Sequence, residues 1–283
     1  MYSRAYRIFV TAPPLAWVCL FLLLPYALLF CFSFWQVRSQ VIVHQWTLNN
    51  YRQLFTNPVY LEVLWRSAGI AAAVTILALL LGFPLAYFLS FRAQRSKRLL
   101  YQLVIIPLWV SYLVRAYAWK TILGTDGVLN TLLVYSGVMR HPVNFLLYSP
   151  FAVVLTLTHI YTPFVFLPVY ASLEHIPKEL IEASEDLGAS AIRTFWKVVF
   201  PLAMPGVIAG VTFAFVLSLG DFLSPLLVGG PSGIMISNIV VSLFGAAYNW
   251  SLGAAISAIM LLLVIALISG AERLERSLRY KGV

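Results

Sequence analysis

The chain has 283 residues, of which 61% are hydrophobic and 10% are charged, and its mean hydropathy is +0.88. Because a soluble domain carries about a quarter charged residues, this composition excludes an ordinary soluble protein and indicates a polytopic membrane protein. The formal net charge of +9 suggests nucleic acid as a partner, but the basic residues are grouped in short segments between apolar stretches, which argues against it.

Six apolar stretches predict six membrane-spanning helices in an all-α protein, because each has the roughly 20 residues needed to cross the hydrocarbon core. In chain order they cover residues 13–35, 67–91, 99–119, 150–173, 202–223 and 252–270. A mostly polar segment, 36–66, follows the first stretch, and turn signals in 120–149 predict a loop after the third. The first stretch is too long for the apolar region of a signal peptide, so we expect it to remain as a span.

Four basic segments fall on one side of the membrane if there are six spans. They contain Arg4 and Arg7; Arg92, Arg95, Lys97 and Arg98; Lys178, Arg193 and Lys197; and Arg273, Arg276, Arg279 and Lys281. Loops rich in Lys and Arg face the cytoplasm. We therefore expect both termini and the loop 174–201 to be cytoplasmic.

The charged segment between the fourth and fifth spans predicts two short amphipathic helices. Pro177 suits the first turn of one helix and Gly188 the position after its end, while Ser190 suits the N-cap of a second helix. Each helix has an apolar face at helical spacing. These faces are Ile176, Leu180, Ala183 and Leu187 in the first helix, and Ile192, Phe195, Trp196 and Val199 in the second.

This segment also carries a spaced motif: Glu182-Ala183-Ser184, then Gly188, then Val198, Phe200 and Pro201. It resembles the EAA loop of binding-protein-dependent ABC importer permeases, which reads Glu-Ala-Ala, three residues, Gly, nine residues, Ile-x-Leu-Pro. Ser184, Val198 and Phe200 are mild departures. In that family the loop is a cytoplasmic coupling helix that docks into a groove of the ATPase subunit. The resemblance implies ATPase-coupling roles for Glu182, Ala183, Ser184, Gly188, Ala189 and Pro201; an ordinary amphipathic interfacial loop is the alternative.

The resemblance extends from Thr47 to Gly270, where the chain is similar to the permease subunit of spermidine/putrescine importers, the PotB-type branch. It is carried by Leu48-Asn49-Asn50-Tyr51, Pro107-Leu108-Trp109, Arg115-Ala116-Tyr117, Gly124-Thr125-Asp126-Gly127 and Asp186-Leu187-Gly188-Ala189-Ser190. Related permeases serve phosphonate, opine, iron and thiamine importers, so the substrate stays open among these solutes. The resemblance implies an ABC transporter type-1 (MetI-like) fold, with an N-terminal segment 1–66, a core 67–271 that includes the coupling loop 174–201, and a basic tail 272–283.

The same resemblance implies a multi-pass permease of the bacterial inner membrane that forms half of a translocation pathway, with polyamines as the expected cargo. Its partners would be a second similar permease, two ATPase subunits and a periplasmic or lipid-anchored binding protein. The chain lacks the Gly-x-x-x-x-Gly-Lys-Ser/Thr phosphate-binding motif. We therefore expect no cofactor and no catalysis in this chain, with ATP and Mg bound by the ATPase subunits.

Two ionisable residues within the apolar stretches are candidates for the substrate pathway. Asp221 is the one carboxylate between Asp186 and Glu272, and a carboxylate at membrane depth costs about 2–3 kcal/mol on insertion scales. Its charge is compensated by water in a wet cavity, by a cationic cargo, or by a fixed partner such as Arg115 or the second permease. Arg115, near the outer end of the third span, snorkels, forms a pair, or acts as a gate.

The fourth span is unusually polar, and Thr158, Tyr161 and Thr162 share one predicted helical face. They either line the pathway or form hydrogen bonds between helices. Trp109 lies near a predicted interface, where it serves as an anchor or as a cation–π partner of an amine. The four His residues are scattered, and the two Cys residues, both in the first span, lack metal-ligand spacing, so no metal site is expected.

Two other classes of function compete with this interpretation. A secondary transporter driven by ions would need several intramembrane carboxylates or inverted repeats. Asp221 is the single candidate carboxylate for such a role in this sequence. A membrane-embedded enzyme would need a cluster of catalytic residues, which the sequence does not contain.

Overall fold

The computed structural model describes residues 4–38, 41–93 and 95–281, which are predominantly helical. Up to residue 135 its elements are α1 (Arg4–Val18), a π-helical turn (Cys19–Leu23), α2 (Leu24–Ser33), strands β1 (Gln36–Arg38) and β2 (Val41–Val43), α3 (Asn49–Thr56), α4 (Pro58–Phe91), α5 (Lys97–Trp109), α6 (Tyr112–Leu123) and α7 (Val128–Tyr135). The two strands form an antiparallel hairpin in which Val37 pairs with Ile42.

The remaining elements follow a 3-10 turn at Asn144–Leu146. They are α8 (Pro150–Glu174), α9 (Lys178–Asp186), α10 (Ala191–Thr194), a π-helical turn (Phe195–Val199), α11 (Phe200–Gly220), a second π-helical turn (Pro225–Gly229), a 3-10 turn (Pro231–Gly233), α12 (Ile236–Phe244) and α13 (Trp250–Lys281). The predicted tail therefore continues the last helix as far as Lys281, and residues 282–283 lie outside the described part of the chain.

Five helical segments in the described ranges are long and apolar enough to cross a membrane. They are Phe9–Ser33, Pro58–Phe91, Pro150–Glu174, Ala191–Gly220 and Trp250–Arg273. A sixth is obtained when α5 and the helices after it are counted as one bent span. The predicted all-α membrane fold is thus confirmed.

The third span, predicted as one helix over 99–119, is broken in the structure. α5 ends at Trp109, α6 begins at Tyr112, and the segments on the two sides of the break differ in direction by 97°. The intervening residues, Val110 and Ser111, have extended ψ angles of 135° and 137°. Pro107 lacks the amide hydrogen that would bond the preceding turn, which weakens the helix just before it ends.

The described residues fall into two compact units. One contains the residues up to Leu61 and Ile239–Leu263, and the other contains Glu62–Asn238 and the residues from Val264 onward. Both candidate sites lie in the second unit. The boundaries predicted at residues 66 and 271 stay a prediction.

In the first unit, the predicted Asn-Asn-Tyr motif caps the end of α2. The Asn50 amide donates to the carbonyls of Ser33 at 2.8 Å and Trp35 at 2.7 Å, and the Tyr51 hydroxyl lies 2.7 Å from that of Ser33. The last carbonyls of a helix lack partners within the helix. The motif therefore has a structural role here.

The second unit is built around the packing of α8 against α11. Its first cluster of buried side chains comes from α4, α8, α11 and the turns beside them: Ala78, Ala86, Leu89, Val165, Phe166, Val169, Leu173, Ile176, Val199, Ala203, Val207 and Ala214. A second cluster includes Leu157, Ile160 and Val228. Helix α8 contributes to both clusters. It therefore links the two candidate sites, which are the coupling loop 174–201 and the surroundings of Asp221.

Close approach of α8 and α11 depends on two glycines of α11 that lie four residues apart, Gly206 and Gly210. A Cβ atom at Gly206 would overlap the Pro168 carbonyl oxygen and come within 2.8 Å of the Ser172 Cβ, and one at Gly210 would lie 3.0 Å from the Val165 Cα. Small residues let membrane helices approach in this way.

We expect Gly206→Ala to destabilise the protein by about 1–3 kcal/mol, the usual cost of overpacking a tight contact. The measurement is the melting temperature of the purified protein in detergent. Gly69→Ala is the matched control, because Gly69 is also within a helix but a Cβ added there would have no neighbouring atom within 4 Å. Equal melting temperatures for the two variants would contradict this account of the packing.

Candidate functional site

The coupling loop contains a helix that ends in a glycine turn, as predicted. Pro177 is the N-cap of α9 rather than part of its first turn, and Gly188 follows its end with φ +78°. The Gly188 amide donates to the Glu185 carbonyl at 2.8 Å, and the Ala189 amide donates to the Ser184 carbonyl at 3.1 Å. This is the Schellman arrangement, in which glycine supplies the left-handed residue.

The predicted apolar face of this helix is wrong in part. Ile176 is buried, but Leu180 is 45% exposed and Leu187 is 88% exposed. Ile181 packs against the core in their place. The reason is that α9 is a short helix at the surface of the described chain. The rest of the chain covers only one narrow side of this helix, and the other side stays exposed.

The motif residues divide between this open surface and internal packing. The exposed ones are Glu182, Ala183, Gly188 and Pro201. Ser184 is half-buried, and its hydroxyl lies 3.0 Å from that of the buried Thr194, which ties α9 to α10. A Cβ added at Gly188 would meet no atom within 4 Å, so another protein can approach the backbone closely at this point.

The second predicted short helix is not a separate element. Ser190 is its N-cap, as predicted, and accepts a hydrogen bond from the Arg193 amide at 3.4 Å. However, α10 continues through a π-helical turn directly into α11. Its predicted apolar stripe is divided, since Val199 is buried whereas Ile192 and Trp196 are exposed.

Asp221 lies at a helix break rather than within the fifth span as predicted. α11 ends at Gly220, and Asp221 has extended backbone angles of φ −72° and ψ 127°. Its Oδ1 accepts a hydrogen bond from the Ser224 amide at 3.0 Å, as an N-cap residue does. Asp221 therefore begins the short helical stretch 223–229.

Two tyrosine hydroxyls hold the other carboxylate oxygen. Tyr161 donates to Oδ2 of Asp221 at 2.7 Å, and Tyr112 donates to the same atom. The Tyr112 hydroxyl also lies 2.6 Å from the Ser224 Oγ. Asp221 is only 7% exposed, and these three donors from three segments compensate much of the cost of burying it.

The direct pair between Asp221 and Arg115, one of the predicted alternatives, is not formed in the described residues. The Arg115 guanidinium carbon lies 5.9 Å from the centre of the Tyr112 ring. Its Nε and Nη1 atoms are buried and have no hydrogen-bond partner among the described residues. The ring of Tyr112 thus lies next to Arg115, while its hydroxyl donates to Asp221.

A cavity of about 360 Å³ opens beside the carboxylate. It is lined by Tyr112, Tyr161, Val216, Leu217, Gly220, Asp221, Phe222 and Leu223. A carboxylate and two aromatic rings in apolar surroundings are the groups that bind an ammonium ion, through its charge and through the faces of the rings.

Side-chain hydrogen bonds join the two ends of the loop that follows Asp221. The Ser237 hydroxyl donates to the Asp221 carbonyl, and the Asn238 amide donates to the Phe222 carbonyl at 2.7 Å. The Arg66 side chain also donates to the Ile234 carbonyl at 3.0 Å. The turn that carries Asp221 is thus anchored by hydrogen bonds from three side chains.

The predicted polar face of the fourth span is divided between two cavities. Tyr161 lines the cavity beside Asp221, whereas Thr158 and Thr162 line a second one, also of about 360 Å³, with His159. Thr162 donates to the Thr158 carbonyl at 2.6 Å, and the buried Thr158 hydroxyl has no partner in the described chain. The three residues therefore do not form one lining.

Trp109 lies apart from both cavities. It is the last residue of α5, is 83% exposed, and lines a third cavity with Tyr101, Gln102, Ile105 and Ile106. Of the predicted pathway residues, the structure brings together Asp221 and Tyr161, with Arg115 one ring away.

Sequence reasoning missed Tyr112 and Ser224 as partners of Asp221. Ser224 had a readable signal, because Asp-x-x-Ser-Pro is the pattern of an N-cap and the first turn that it holds. Tyr112 is 109 residues away from Asp221 in the chain, and no local pattern reveals a contact at such a distance.

Known proteins resemble this chain along most of its length. A family model described as binding-protein-dependent transport system inner membrane component matches residues 78–280. The spermidine/putrescine transport system permease protein PotB of Haemophilus influenzae is 34% identical over 267 residues, 94% of this chain and 93% of the relative. The inner membrane ABC transporter permease protein YdcU of Escherichia coli K12 is 39% identical over 239 residues, 81% of this chain and 76% of the relative.

A solved structure has the same fold. A chain of the bacterial alginate ABC transporter in complex with alginate pentasaccharide-bound periplasmic protein matches with a TM-score of 0.75 at 16% identity, covering 97% of this chain and 95% of that one. At this identity the likeness concerns the fold alone, and it confirms the predicted ABC permease fold.

Proposed function

We propose, because this chain belongs to the family of binding-protein-dependent transport system inner membrane components, that it is the permease subunit of an ATP-driven importer of polyamines. As a transport permease it is a multi-pass inner membrane protein and not an enzyme. The observation that carries the substrate class is the 34% identity to a spermidine/putrescine permease over 94% of the chain.

The chemistry of the Asp221 cavity supports a cationic cargo. A polyamine is an apolar chain with ammonium groups, and the cavity combines apolar walls with one carboxylate and two tyrosines. In this proposal Asp221 faces the ammonium, with Tyr112 and Tyr161 holding the carboxylate in place. Arg115 stays behind the Tyr112 ring, where its positive charge raises the cost of entry for a cation that bypasses the carboxylate.

The remaining predicted pathway residues serve as secondary contacts in this proposal. Thr158 and Thr162 offer hydroxyl and carbonyl oxygens to amines from the second cavity. Trp109 offers an exposed ring to a cation on the surface that the second permease would cover. Half of the pathway then comes from each permease.

The coupling loop is proposed as the contact with an ATPase subunit. Glu182, Ala183 and Gly188 form an open surface, Ser184 and Ala189 build the turn behind it, and Pro201 follows. Two ATPase subunits, which bind ATP and Mg, a second similar permease, and a periplasmic or lipid-anchored binding protein complete the importer. The coupling loop and both termini face the cytoplasm in this arrangement, as the basic segments predict.

Uptake by the assembled importer in liposomes tests the function. We expect ATP-dependent, saturable uptake of radiolabelled spermidine or putrescine in the presence of the cognate binding protein. Excess unlabelled polyamine is expected to compete, whereas phosphonate, opine, thiamine and iron are not. Competition by one of these other solutes, with no effect of polyamines, would assign the importer to that solute.

A further inference from the structure

An ion pair stands where α8 leads into the coupling loop. Glu174 is the last residue of α8, and three residues separate it from α9. The Lys97 Nζ donates to both Glu174 carboxylate oxygens, at 2.9 and 2.7 Å. Lys97 is the first residue of α5, so the pair joins the ends of two different helices.

This pair differs from the other ion pairs in the described ranges. Glu62–Arg66 and Glu272–Arg276 each join residues four apart on one helix, at 3.7 and 3.6 Å. Lys97 and Glu174 are 77 residues apart in sequence, and each side chain is about one-third exposed, at 34% and 33%. An ion pair this exposed adds little to overall stability, so its importance lies in what it connects.

An aromatic layer continues the connection below the ion pair. The Lys97 Nζ lies 5.7 Å from the centre of the Tyr170 ring. Tyr170 stacks on Phe166 at 5.4 Å and contacts Tyr101 at 5.2 Å. Lys97 and Tyr101 are one helical turn apart, as are Phe166, Tyr170 and Glu174, so two matching ridges of α5 and α8 face each other.

The helical segments that the ion pair joins also meet at the Asp221 carboxylate. We call them the α8 arm and the α5–α6 arm. Tyr161, on α8, and Tyr112, the first residue of α6, donate to the same oxygen of Asp221. Between Lys97 and Tyr112 the chain runs along α5 and through the 97° bend after Trp109. The α8 arm is one continuous helix, whereas the α5–α6 arm contains a break.

We propose that the Lys97–Glu174 pair, seated on Tyr170, is a strut that makes α5 move with the end of α8 when the coupling loop moves. Because α5 ends at the bend before Tyr112, the motion of the coupling loop reaches the carboxylate along two arms. Lys97 and Glu174 are positioning residues in this role. The proposal rests on the proposed function of the coupling loop, and it adds the route by which the loop acts on the cargo site.

The strut predicts that Lys97→Gln and Glu174→Gln lower the amount of labelled spermidine taken up per ATP hydrolysed. We expect a decrease of about two- to fivefold, which is the range that the typical free energy of an exposed ion pair allows. Membrane abundance and the amount of ATPase subunit recovered with the complex are expected to equal those of the wild type. The exchanged variant, Lys97→Glu with Glu174→Lys, should restore the ratio.

Glu272→Gln is the matched control, because it removes an intrahelical ion pair from exposed side chains. It is expected to leave uptake per ATP unchanged. Ratios in both single variants within about twofold of the wild type, or an exchanged variant no better than the singles, would overturn the strut.

A crosslink tests the strut without depending on the single variants. In a background with Cys19→Ser and Cys31→Ser, the K97C/E174C variant replaces the ion pair with two thiols. A short cleavable crosslinker should raise the low uptake per ATP of this variant toward the wild-type value, because the two helix ends stay together throughout the cycle. A fall in uptake on crosslinking, reversed by cleavage, would show that the ends separate and that no strut exists.

A readout that needs no cargo distinguishes failure of the strut from failure of the substrate assignment. Tyr117, on α6, is 49% exposed, and the reactivity of Tyr117→Cys toward a maleimide should change when vanadate traps ADP on the ATPase subunits. With the strut, Lys97→Gln reduces this change. An identical change with and without Lys97→Gln would overturn the strut even if the importer carries a different solute.

Discussion

Gly188→Asp is expected to lower polyamine uptake on the order of tenfold or more, a loss equivalent to about 1.4 kcal/mol at the interface with the ATPase. Within this chain a side chain at Gly188 meets open space. Steric cost must therefore come from a partner that approaches the backbone. The new carboxylate would also add to the negative charge of Glu182 and Glu185 in the same loop, on a surface that must be desolvated on docking. The measurements are uptake and the recovery of ATPase subunit with the affinity-purified permease.

The backbone conformation itself is a competing cause, because Gly188 has φ +78° and other residues resist positive φ. Gly137 is the matched control: it follows α7 with φ +73°, and a Cβ there also meets nothing within 4 Å. Gly137→Asp carries the same backbone cost on a different surface and is expected to transport normally. Normal uptake by a well-inserted Gly188→Asp variant would rule out docking at this turn, and equal losses in the two variants would assign the effect to the backbone.

The local features of the coupling loop were predictable because they depend on neighbouring residues. A glycine after a charged helix and a serine before the next one are read directly from the sequence, and both occupy the predicted cap positions. The faces were less predictable. Spacing shows which residues share a side of a helix, but it does not show how much of that side the rest of the protein covers, as Leu187 illustrates at 88% exposed.

The spans show the same limit at larger scale. Hydropathy located the apolar stretches, since crossing hydrocarbon depends on composition and length. It did not locate the break at Val110–Ser111, because the residues next to it (Leu108, Trp109, Tyr112 and Leu113) are apolar or aromatic and continue the hydropathic stretch. The end of α11 was placed three residues late because Phe222 and Leu223 continue the apolar run past Asp221, although Asp221 caps the next helical stretch.

The candidate cargo site was predicted only as a single carboxylate. Sequence reasoning identified Asp221 from the cost of its charge, which is a property of one residue. Its partners Tyr112 and Tyr161 lie 109 and 60 residues away, and their arrangement depends on the bend before Tyr112 and on the packing of α8. Such contacts follow from tertiary structure and have no local signature.

Asp221→Asn is expected to lower polyamine uptake at limiting substrate on the order of tenfold or more, with basal ATPase activity retained. Asparagine keeps the Oδ1 acceptor for the Ser224 amide, so the helix cap survives. Its side-chain amide meets the Tyr112 and Tyr161 hydroxyls, which can rotate to accept instead of donating. The change therefore removes the charge and preserves most of the hydrogen bonds. The measurements are initial uptake rates across a range of polyamine concentrations and the melting temperature of the complex.

Two controls separate cargo binding from structural effects. Ser237→Ala removes a donor to the Asp221 backbone carbonyl and leaves the carboxylate charged, so it reports on the anchoring of the loop. Arg115→Gln removes the nearby cation, which contacts the Tyr112 ring and not the carboxylate. If cargo is the partner, Ser237→Ala lowers the melting temperature but has little effect on uptake. Adding Arg115→Gln to Asp221→Asn then does not restore uptake.

The reverse outcomes would assign Asp221 to structure. Recovery of uptake and melting temperature in the double variant would show that the two charges compensate each other in the folded protein, as a buried pair does. Wild-type uptake in a stable Asp221→Asn complex would show that the charge has no part in transport. The surroundings of Asp221 favour the cargo outcome. Three neutral donors satisfy the hydrogen bonding of Oδ1 and Oδ2 but supply no positive charge. Their hydrogen bonds leave the net negative charge uncompensated by any ion pair to Asp221 in the described residues, and an ammonium ion entering the cavity would supply the missing positive charge.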